Sequence, residues 1–333
     1  MYSPNPNRYD KMKYRRCGSS GLLLPIVSFG LWHNFGENST ESDMKKLCFT
    51  AFDNGITHFD LANNYGPPAG AAEKAFGKII KTHFSCHRDE LIISTKAGYD
   101  MWEGPYGIGG SKKYLLSSLD QSLLRLGIPY VDIFYHHCPD PDTPLEETMG
   151  ALAQAVHSGK ALYAGLSNYD GETMKKACDI LDKLHCPFII NQNRCSMLDT
   201  TIEKNGLLKA CKERKKGLIL FSPLEQGLLT NRYLNGIPDN SRVRTDRRFL
   251  TEKNITPQKI EIVKKLNDIA LKRGQSLAQM ALCWLLKNET VTSVIVGASH
   301  YEQLLDSLKI LDAEPFSGDE LNEIKNILQA ESA

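Results

Sequence analysis

Short apolar runs rich in β-branched residues alternate with longer segments of helical periodicity along almost the whole chain. The short runs show little polar alternation, which is typical of strands that are buried on both faces, as in a parallel sheet. Each run is followed by a helical segment. Eight strands are predicted on this basis, over residues 26–30, 57–61, 91–96, 131–136, 162–167, 188–191, 218–222 and 293–297.

The helical segments carry recognisable start and stop signals. Thr143 and Glu146 form a predicted capping box with a proline at the first helical position, and Gly159 is the predicted stop of that helix. Ser111 and Gly127 bracket a second helix in the same manner. Two further helices are predicted, one over residues 43–54 and one that opens with a capping pattern at residues 299–302.

Eight strand-then-helix units with short connections predict a closed (β/α)8 TIM barrel, in a single α/β domain over residues 1–333. An open doubly wound sheet is the alternative, and it usually carries G-x-G-x-x-G after its first strand. The first strand here continues as Gly-Leu-Trp-His, and the glycine-rich stretch at 104–111 also lacks that motif. Two segments lie outside the alternation: a short N-terminal β-hairpin at 14–25 and a long βα7 loop at 230–256.

Composition narrows the possible partners and compartments. The chain has 40 Lys and Arg against 39 Asp and Glu, so no large field of one sign is available for nucleic acid or an acidic membrane. Nine scattered cysteines without C-x-x-C indicate a reducing compartment and no metal site. The polar N-terminus lacks an apolar signal segment, and no apolar run approaches the ~18 residues of a membrane span. A cytoplasmic protein is therefore predicted.

Four side chains that can take part in proton transfer lie at the carboxyl ends of consecutive predicted strands, where barrel enzymes place their catalytic groups. Asp60 and Tyr65 follow the second strand, Lys96 ends the third, and His137 follows the fourth. A nearby lysine ammonium would lower the pKa of a tyrosine, and a carboxylate would hold that lysine charged. Taken singly, each residue could be a cap, a packing residue or a surface ion pair. Their joint placement favours a proton-donor site, for which a nicotinamide cofactor would supply hydride.

These residues lie in motifs that resemble the aldo-keto reductase family. The segment that starts at Asp60 reads D-L-A-N-N-Y-G, similar to the family's D-T-A-x-x-Y-G, and I-S-T-K ends at Lys96. The D-x-x-x-x-H pattern at 132–137 selects His137 rather than the preceding histidine. The resemblance covers residues 14 to about 311. It implies that Tyr65 donates the proton, that Lys96 and Asp60 adjust the pKa of Tyr65, and that His137 orients the substrate carbonyl.

Three further stretches, at residues 30–36, 99–107 and 274–281, resemble one branch of the family. This is the bacterial L-glyceraldehyde 3-phosphate reductase branch, which is related to the potassium-channel β subunits. The resemblance implies a cofactor, NADPH with NADH possible, and a pocket for a small aldehyde. The implied pocket residues are Trp32, Tyr65, Trp102 and His137. The implied cofactor contacts are Trp32, Asp60, Ser167, Asn168, Gln192, Ser222, Pro223, Leu224, Gln226, Gly227, Leu228, Arg232, Arg242, Gly297, Ser299, Gln303, Asp306 and Ser307.

The sequence departs from the family pattern at two places. Many members carry Lys and Arg after the eighth strand to bind a 2′-phosphate, whereas this chain has only His300 there as a base. NADPH preference is therefore implied by the branch rather than by these residues. An aromatic residue that often stacks on the nicotinamide is replaced by the stretch Asn193-Arg194-Cys195. Stacking is then weaker or comes from elsewhere.

The expected function is reduction of small aldehydes, such as L-glyceraldehyde 3-phosphate or methylglyoxal, to alcohols by hydride transfer from NADPH. The branch also implies a homo-oligomer. A nucleotide-binding sensor like the channel β subunits is the alternative, and His137, which that group replaces, favours turnover. A barrel aldolase with Lys96 as Schiff base is a third reading, disfavoured because Asp60 would keep the amine protonated.

Overall fold

The computed structural model describes residues 2–234, 236–238, 244, 251, 253 and 255–329. The chain starts with an antiparallel hairpin of strands β1 (Tyr14–Arg16) and β2 (Leu23–Pro25), which confirms the prediction for this segment. Cys17 and Leu24 of the hairpin are buried in one cluster with barrel residues such as Ile219. The hairpin therefore packs against the barrel.

Eight parallel strands form a closed barrel in chain order, and the last strand pairs with the first. This confirms the predicted TIM-barrel architecture. Closure brings the carboxyl ends of all eight strands to one rim, where the loops that follow them meet. The strands are β3 (Val27–Gly30), β4 (His58–Asp60), β5 (Ile92–Ala97), β6 (Val131–His136), β7 (Ala161–Ser167), β8 (Ile190–Arg194), β9 (Gly217–Phe221) and β10 (Val291–Val296).

The helices surround the barrel and bury their apolar faces on the outer side of its strands. Ser111 caps its helix by accepting from the Tyr114 amide, and Gly127 ends that helix with φ of 66°, both as predicted. The helices in the described residues are α1 (Glu41–Asp53), α2 (Ala71–Ile79), α3 (Lys112–Leu126), α4 (Leu145–His157), α5 (Gly171–Lys183), α6 (Thr201–Lys204), α7 (Leu207–Glu213), α8 (Pro257–Lys272), α9 (Leu277–Leu286), α10 (Tyr301–Leu308) and α11 (Gly318–Gln329).

Seven of the eight predicted strands agree with the structure to within two residues at each end, whereas the sixth strand and two predicted helix starts are wrong. The capping box at Thr143 is wrong, because its hydroxyl donates to Asp140 at 2.7 Å and α4 begins after Pro144 without a side-chain cap. The predicted start of α10 is also wrong, since His300 precedes the helix without capping it. The sixth predicted strand is shifted, because β8 covers Ile190–Arg194 rather than 188–191. These shifts leave the barrel topology unchanged.

Two loops at the rim bear on the site. The segment after β5 is held at its base, where Gly109 N donates to Gly98 O at 2.9 Å and Gly110 N donates to the Asp140 carboxylate at 2.6 Å. The βα7 loop begins with a 3-10 turn, Asn231–Tyr233, and much of the remainder, including Arg242, lies outside the described residues.

Candidate active site

A buried ion pair joins the ends of two adjacent strands. Lys96 Nζ, on β5, lies 2.5 Å from Asp60 Oδ2 on β4 and also donates to Leu61 O at 2.6 Å. Both side chains are buried, with the Lys96 residue 0% exposed. Burial lowers the pKa of Lys96 and the Asp60 charge opposes that shift. Because an unpaired buried ammonium would be costly, the carboxylate stabilises the charged form of the lysine.

The second oxygen of Asp60 is also occupied. Ser94 Oγ donates to Asp60 Oδ1 at 2.7 Å, and Gln192 Nε2 donates to the same atom at 3.0 Å. With Lys96 on the other oxygen, three donors converge on one buried carboxyl group. These three donors fix the orientation of the carboxyl group.

Tyr65 completes this cluster. Its hydroxyl lies 3.5 Å from Lys96 Nζ, and its ring is half-buried with the Trp32 ring 6.1 Å away. The pKa of Tyr65 lies well above its usual value, chiefly because of burial, with the charges of Asp60 and Tyr99 adding to the shift. The lowered pKa that the sequence suggested is therefore wrong, because burial outweighs the nearby ammonium. A raised pKa keeps the phenol protonated at neutral pH.

His137 lies beside the Tyr65 ring, with 6.0 Å between ring centroids and the two rings at 69° to each other. The imidazole is buried, and burial, followed by the charge of Lys96, lowers its pKa well below the usual value. A neutral imidazole can donate one N–H hydrogen bond to a substrate oxygen. His136 instead contacts Tyr169, with 2.6 Å between its Nδ1 and the phenol oxygen. The structure thus places His137, not His136, beside Tyr65.

One aromatic residue at the site was missed by the sequence analysis. Tyr99, in the loop after β5, has its ring 4.6 Å from that of His137 and is 42% exposed. Its position three residues after Lys96 was the available signal. Trp102, predicted to line the pocket, packs on Tyr114 at 5.2 Å, and the Tyr114 hydroxyl donates to Tyr99 O at 2.6 Å. Trp102 thus connects with the site through Tyr114.

Three residues predicted to bind the nicotinamide lie together beside this cluster. Asn168, with a positive φ of 63°, donates to His137 O at 2.9 Å and to Ser167 Oγ at 3.3 Å. Its backbone N donates to Gln192 O at 3.0 Å, and Gln192 also bonds to Asp60 as described above. This amide and hydroxyl cluster therefore shares a wall of the rim with the Asp60–Lys96 pair.

The model of the aldo/keto reductase family matches residues 26–329, which is most of the chain. The chain belongs to the aldo/keto reductase family. It is 54% identical to an L-glyceraldehyde 3-phosphate reductase of Escherichia coli O157:H7 over 327 residues, covering 97% of this chain and 94% of that protein. It is 34% identical over 306 residues to a putative voltage-gated potassium channel subunit beta of Schizosaccharomyces pombe, covering 90% and 88% of the two chains.

A solved structure agrees with the fold. The crystal structure of a thermostable aldo-keto reductase, Tm1743, in complex with the inhibitor epalrestat is similar with a TM-score of 0.74 and 29% identity. The match covers 95% of this chain and 100% of that one. Aldo-keto reductases use nicotinamide cofactors. Among the described helices, none combines the length and apolar character needed to cross a membrane.

The turn after β9, which the resemblance implied as the site of the cofactor diphosphate, is rich in left-handed residues. Ser222, Glu225 and Gln226 have positive φ values of 54°, 48° and 57°, followed by Gly227 at 95°. Left-handed residues in a short turn are uncommon outside glycine. Here the backbone N of Glu225, Gly227 and Leu228 donate to carbonyl oxygens of the same turn, which fixes its conformation. The predicted neighbours Pro223 and Leu228 are buried and Leu224 is half-buried, which anchors this turn on the barrel. Arg232, one turn further, is exposed.

The residues predicted for the adenosine end lie at the start of α10 and within it. Ser299 donates through both its backbone N and its hydroxyl to Gln303 Oε1, at 2.9 and 3.1 Å. Asp306 accepts from Gln279 Nε2 at 2.8 Å, while the Ser307 hydroxyl donates to Gln303 O within the helix. Gly297 is exposed just after β10. These contacts order the segment between β10 and α10.

A second base near this end was missed by the sequence analysis. Lys46 of α1 places its Nζ 3.6 Å from the ring centroid of Tyr301, the first residue of α10. Its charge and that of His300 contribute to lowering the pKa of Glu302, after closer hydrogen bonds. Nothing in the spacing of the sequence linked α1 with α10, because barrel closure brings the two helices together. At residues 193–195, where the sequence lacks the aromatic residue that often stacks on the nicotinamide, Arg194 pairs with Glu225 and Asp199.

Proposed function

We propose that this aldo-keto reductase reduces small aldehydes to primary alcohols with NADPH. The observation that carries the proposal is the position of the Tyr65 hydroxyl, 3.5 Å from the Lys96 ammonium and beside His137. Ser167, Asn168 and Gln192 would hold a nicotinamide, which would supply the hydride for the carbonyl carbon. The rest of the chemistry is proton transfer and orientation, which the side chains of this chain can perform.

The raised pKa of Tyr65 keeps its hydroxyl protonated, so it can give a proton to the carbonyl oxygen. The resulting tyrosinate lies beside the Lys96 ammonium, whose charge stabilises it as it forms. Asp60 keeps Lys96 charged, and the three donors that it accepts fix its orientation. The neutral imidazole of His137 donates to the same carbonyl oxygen and orients it.

L-Glyceraldehyde 3-phosphate is the substrate we propose, and methylglyoxal is a second candidate of the same reactive class. The proposal is supported by the 54% identity to a reductase named for the former substrate. NADPH as the preferred donor is supported by two exposed bases, Lys46 and His300, near the start of α10. We also propose a cytoplasmic homo-oligomer, in line with the nine free cysteines and with the branch resemblance.

The assay follows oxidation of NADPH or NADH by absorbance with L-glyceraldehyde 3-phosphate, its D-isomer and methylglyoxal. We expect kcat/KM to be highest with the L-isomer and NADPH. Equal rates with both isomers would contradict the substrate proposal while leaving the reductase assignment intact. Loss of absorbance with none of the three aldehydes would contradict the proposed function itself.

A nucleotide-binding sensor remains the second candidate, because the chain is also 34% identical to a putative potassium-channel β subunit. His137 beside Tyr65 favours turnover over sensing. The two functions separate cleanly in one experiment that compares NADPH binding by fluorescence with multiple-turnover reduction. Tight binding without turnover of any aldehyde in the panel would favour the sensor.

A further inference from the structure

A chain of buried polar side chains continues from Asp60 into the barrel interior. His58 lies two residues before Asp60 on β4, so both side chains point to the same face of the strand. Its Nε2 lies 3.0 Å from Ser94 Oγ, and its Nδ1 lies 2.9 Å from Ser28 Oγ. Ser28 Oγ in turn lies 2.7 Å from Ser293 Oγ. Each of these side chains is 0% exposed, so protein groups must satisfy their hydrogen bonds.

The direction of every hydrogen bond in this series of buried side chains follows from the Asp60 carboxylate, which accepts at its first contact. Ser94 donates its single hydroxyl proton to Asp60 Oδ1. At its other contact it must therefore accept from His58 Nε2–H. Burial lowers the pKa of His58 to about 4, so the ring is neutral and Nδ1 is an acceptor. Ser28 must then donate to Nδ1 and accept from Ser293. All donors therefore point towards Asp60.

We infer that His58 is a positioning residue, which acts through Ser94 to hold the Asp60 carboxylate and thereby controls the proton affinity of Tyr65. His58 touches neither Lys96 nor Tyr65 in any hydrogen bond recorded for the described residues. Its influence therefore passes through the Ser94 hydroxyl. The inference rests on the proposed function only in its kinetic readout.

The charge of Asp60 determines in which direction the pKa of Tyr65 should change when the Ser94 donor is lost. The negative charge of Asp60 raises the pKa of Tyr65, and the donor from Ser94 draws part of that charge to the oxygen that faces away from Lys96. Without that donor, more negative charge faces the Lys96 ammonium, which is then less able to stabilise the tyrosinate. Loss of the donor should raise the proton affinity of Tyr65.

The other charged and titratable groups around the cluster remain unchanged in such an experiment. Besides Asp60, the Lys96 charge acts on His58, and Tyr99 acts on Tyr65 from the loop after β5. Glu73 of α2 acts on Lys96 and is itself paired with Arg125. A shift specific to the His58–Ser94 contact can therefore be separated from these neighbours.

Three variants isolate the contact. Ser94→Ala removes the donor to Asp60 directly. His58→Asn retains a polar atom near the Nδ1 position but loses the donor at Nε2, because its side chain is shorter. His58→Gln is the matched control, since its amide N–H can reach the Nε2 position and donate to Ser94. An effect of the ring's bulk would appear in both His58 variants, whereas an effect of the Nε2 donor would appear only in His58→Asn.

The proton affinity of Tyr65 can be measured without turnover. The full chain is labelled with 3-fluorotyrosine, the Tyr65 signal is assigned as the ¹⁹F resonance missing from Tyr65→Phe, and its shift is followed against pH with and without NADP⁺. We expect the pKa of Tyr65 to rise by about one unit in Ser94→Ala and His58→Asn, and to stay close to wild type in His58→Gln. The acid limb of alcohol oxidation against pH should move by the same amount.

Coincident Tyr65 titrations and oxidation profiles in wild type, Ser94→Ala and His58→Asn would overturn the inference, even if the variants melt at lower temperature. A shift of equal size in His58→Gln would also overturn it, because the Nε2 donor would then be irrelevant. If His58→Asn fails to fold, Ser94→Ala still decides. If the wild type reduces no aldehyde but the ¹⁹F shifts appear as expected, the proposed function fails and the inference stands.

Discussion

The Lys96 ammonium lies 3.5 Å from the Tyr65 hydroxyl and 2.5 Å from Asp60 Oδ2. The lysine is thus held by the carboxylate and contacts the phenol at a longer distance. Since burial raises the pKa of Tyr65, the ammonium contributes most once the phenol has lost its proton. The arrangement fits a proton donor better than a resting tyrosinate.

Tyr65→Phe should abolish proton donation and little else. We expect kcat for aldehyde reduction to fall by at least ~10²-fold, with NADPH affinity within about twofold of wild type. Stopped-flow reduction and fluorescence titration measure the two quantities. Tyr130→Phe is the matched control, because Tyr130 immediately precedes β6, away from the rim, and contacts Arg88. Rates like the wild type in Tyr65→Phe would exclude this residue as the donor.

The pH dependence should differ between the two directions of the reaction. Reduction needs protonated Tyr65, and a pKa well above its usual value of 10.0 keeps it protonated, so kcat for reduction should be flat across neutral pH. Alcohol oxidation needs tyrosinate, so its rate should rise with pH throughout the same range. Profiles of kcat in both directions test this. An oxidation rate that levels off near neutral pH would contradict the dominance of burial over the Lys96 charge.

Tyr99 should shape the substrate pocket, because its ring lies against His137 and the residue is 42% exposed. We expect Tyr99→Ala to raise KM for the aldehyde by about tenfold through lost contact area, with the KM for NADPH unchanged. Tyr99→Phe retains the ring and serves as the control. Unchanged aldehyde KM in Tyr99→Ala would remove this residue from the pocket.

The fold was predictable because each strand is a buried apolar run whose signal is local. Gly127 and Ser111 likewise act on their own helix, and both predictions are confirmed. The capping prediction for Thr143 is wrong because its hydroxyl donates to Asp140 instead, and that contact depends on the path of the loop. The motif residues Asp60 and Lys96 were recognisable by their positions at strand ends, and the structure brings them into contact.

What the sequence could not provide are contacts that only barrel closure creates. Ser28 and Ser293 lie on the first and last barrel strands and meet across the closing seam beside His58. Lys46 reaches Tyr301 for the same reason. The direction of the Tyr65 pKa shift could not be predicted from the sequence either. The motif shows that a charged lysine is near, but it does not show the burial that outweighs this charge.

Lys46 and His300 should favour NADPH over NADH. Each is exposed, so its attraction for a 2′-phosphate is modest, about 1 kcal/mol or less at physiological salt. We expect Lys46→Ala and His300→Ala each to raise KM for NADPH by about threefold to fivefold and to leave KM for NADH unchanged. Lys45→Ala, on the same helix and paired with Glu41, is the control. Equal effects on both nucleotides would place the 2′-phosphate elsewhere.

Acid should destabilise the fold through its buried histidines. The pKa of His58 and of His136 falls from 6.5 to about 4 on burial, so the unfolded chain binds more protons than the folded chain below pH 6.5. Stability is therefore fully present above that pH and is lost as the pH falls towards 4. For His58 alone, the loss between pH 7 and pH 5 is about 2 kcal/mol.

Urea unfolding of wild type and His58→Gln at pH 7 and pH 5 measures this contribution. The variant cannot titrate at position 58, so its free energy of unfolding should fall less between the two pH values, by the same ~2 kcal/mol, whatever its stability at pH 7. His157→Gln is the control, since His157 ends α4 on the exposed surface. Parallel losses of stability in wild type and His58→Gln would mean that the fold does not lower the pKa of His58, and the donor direction deduced for Ser94 and Ser28 would then have to be revised.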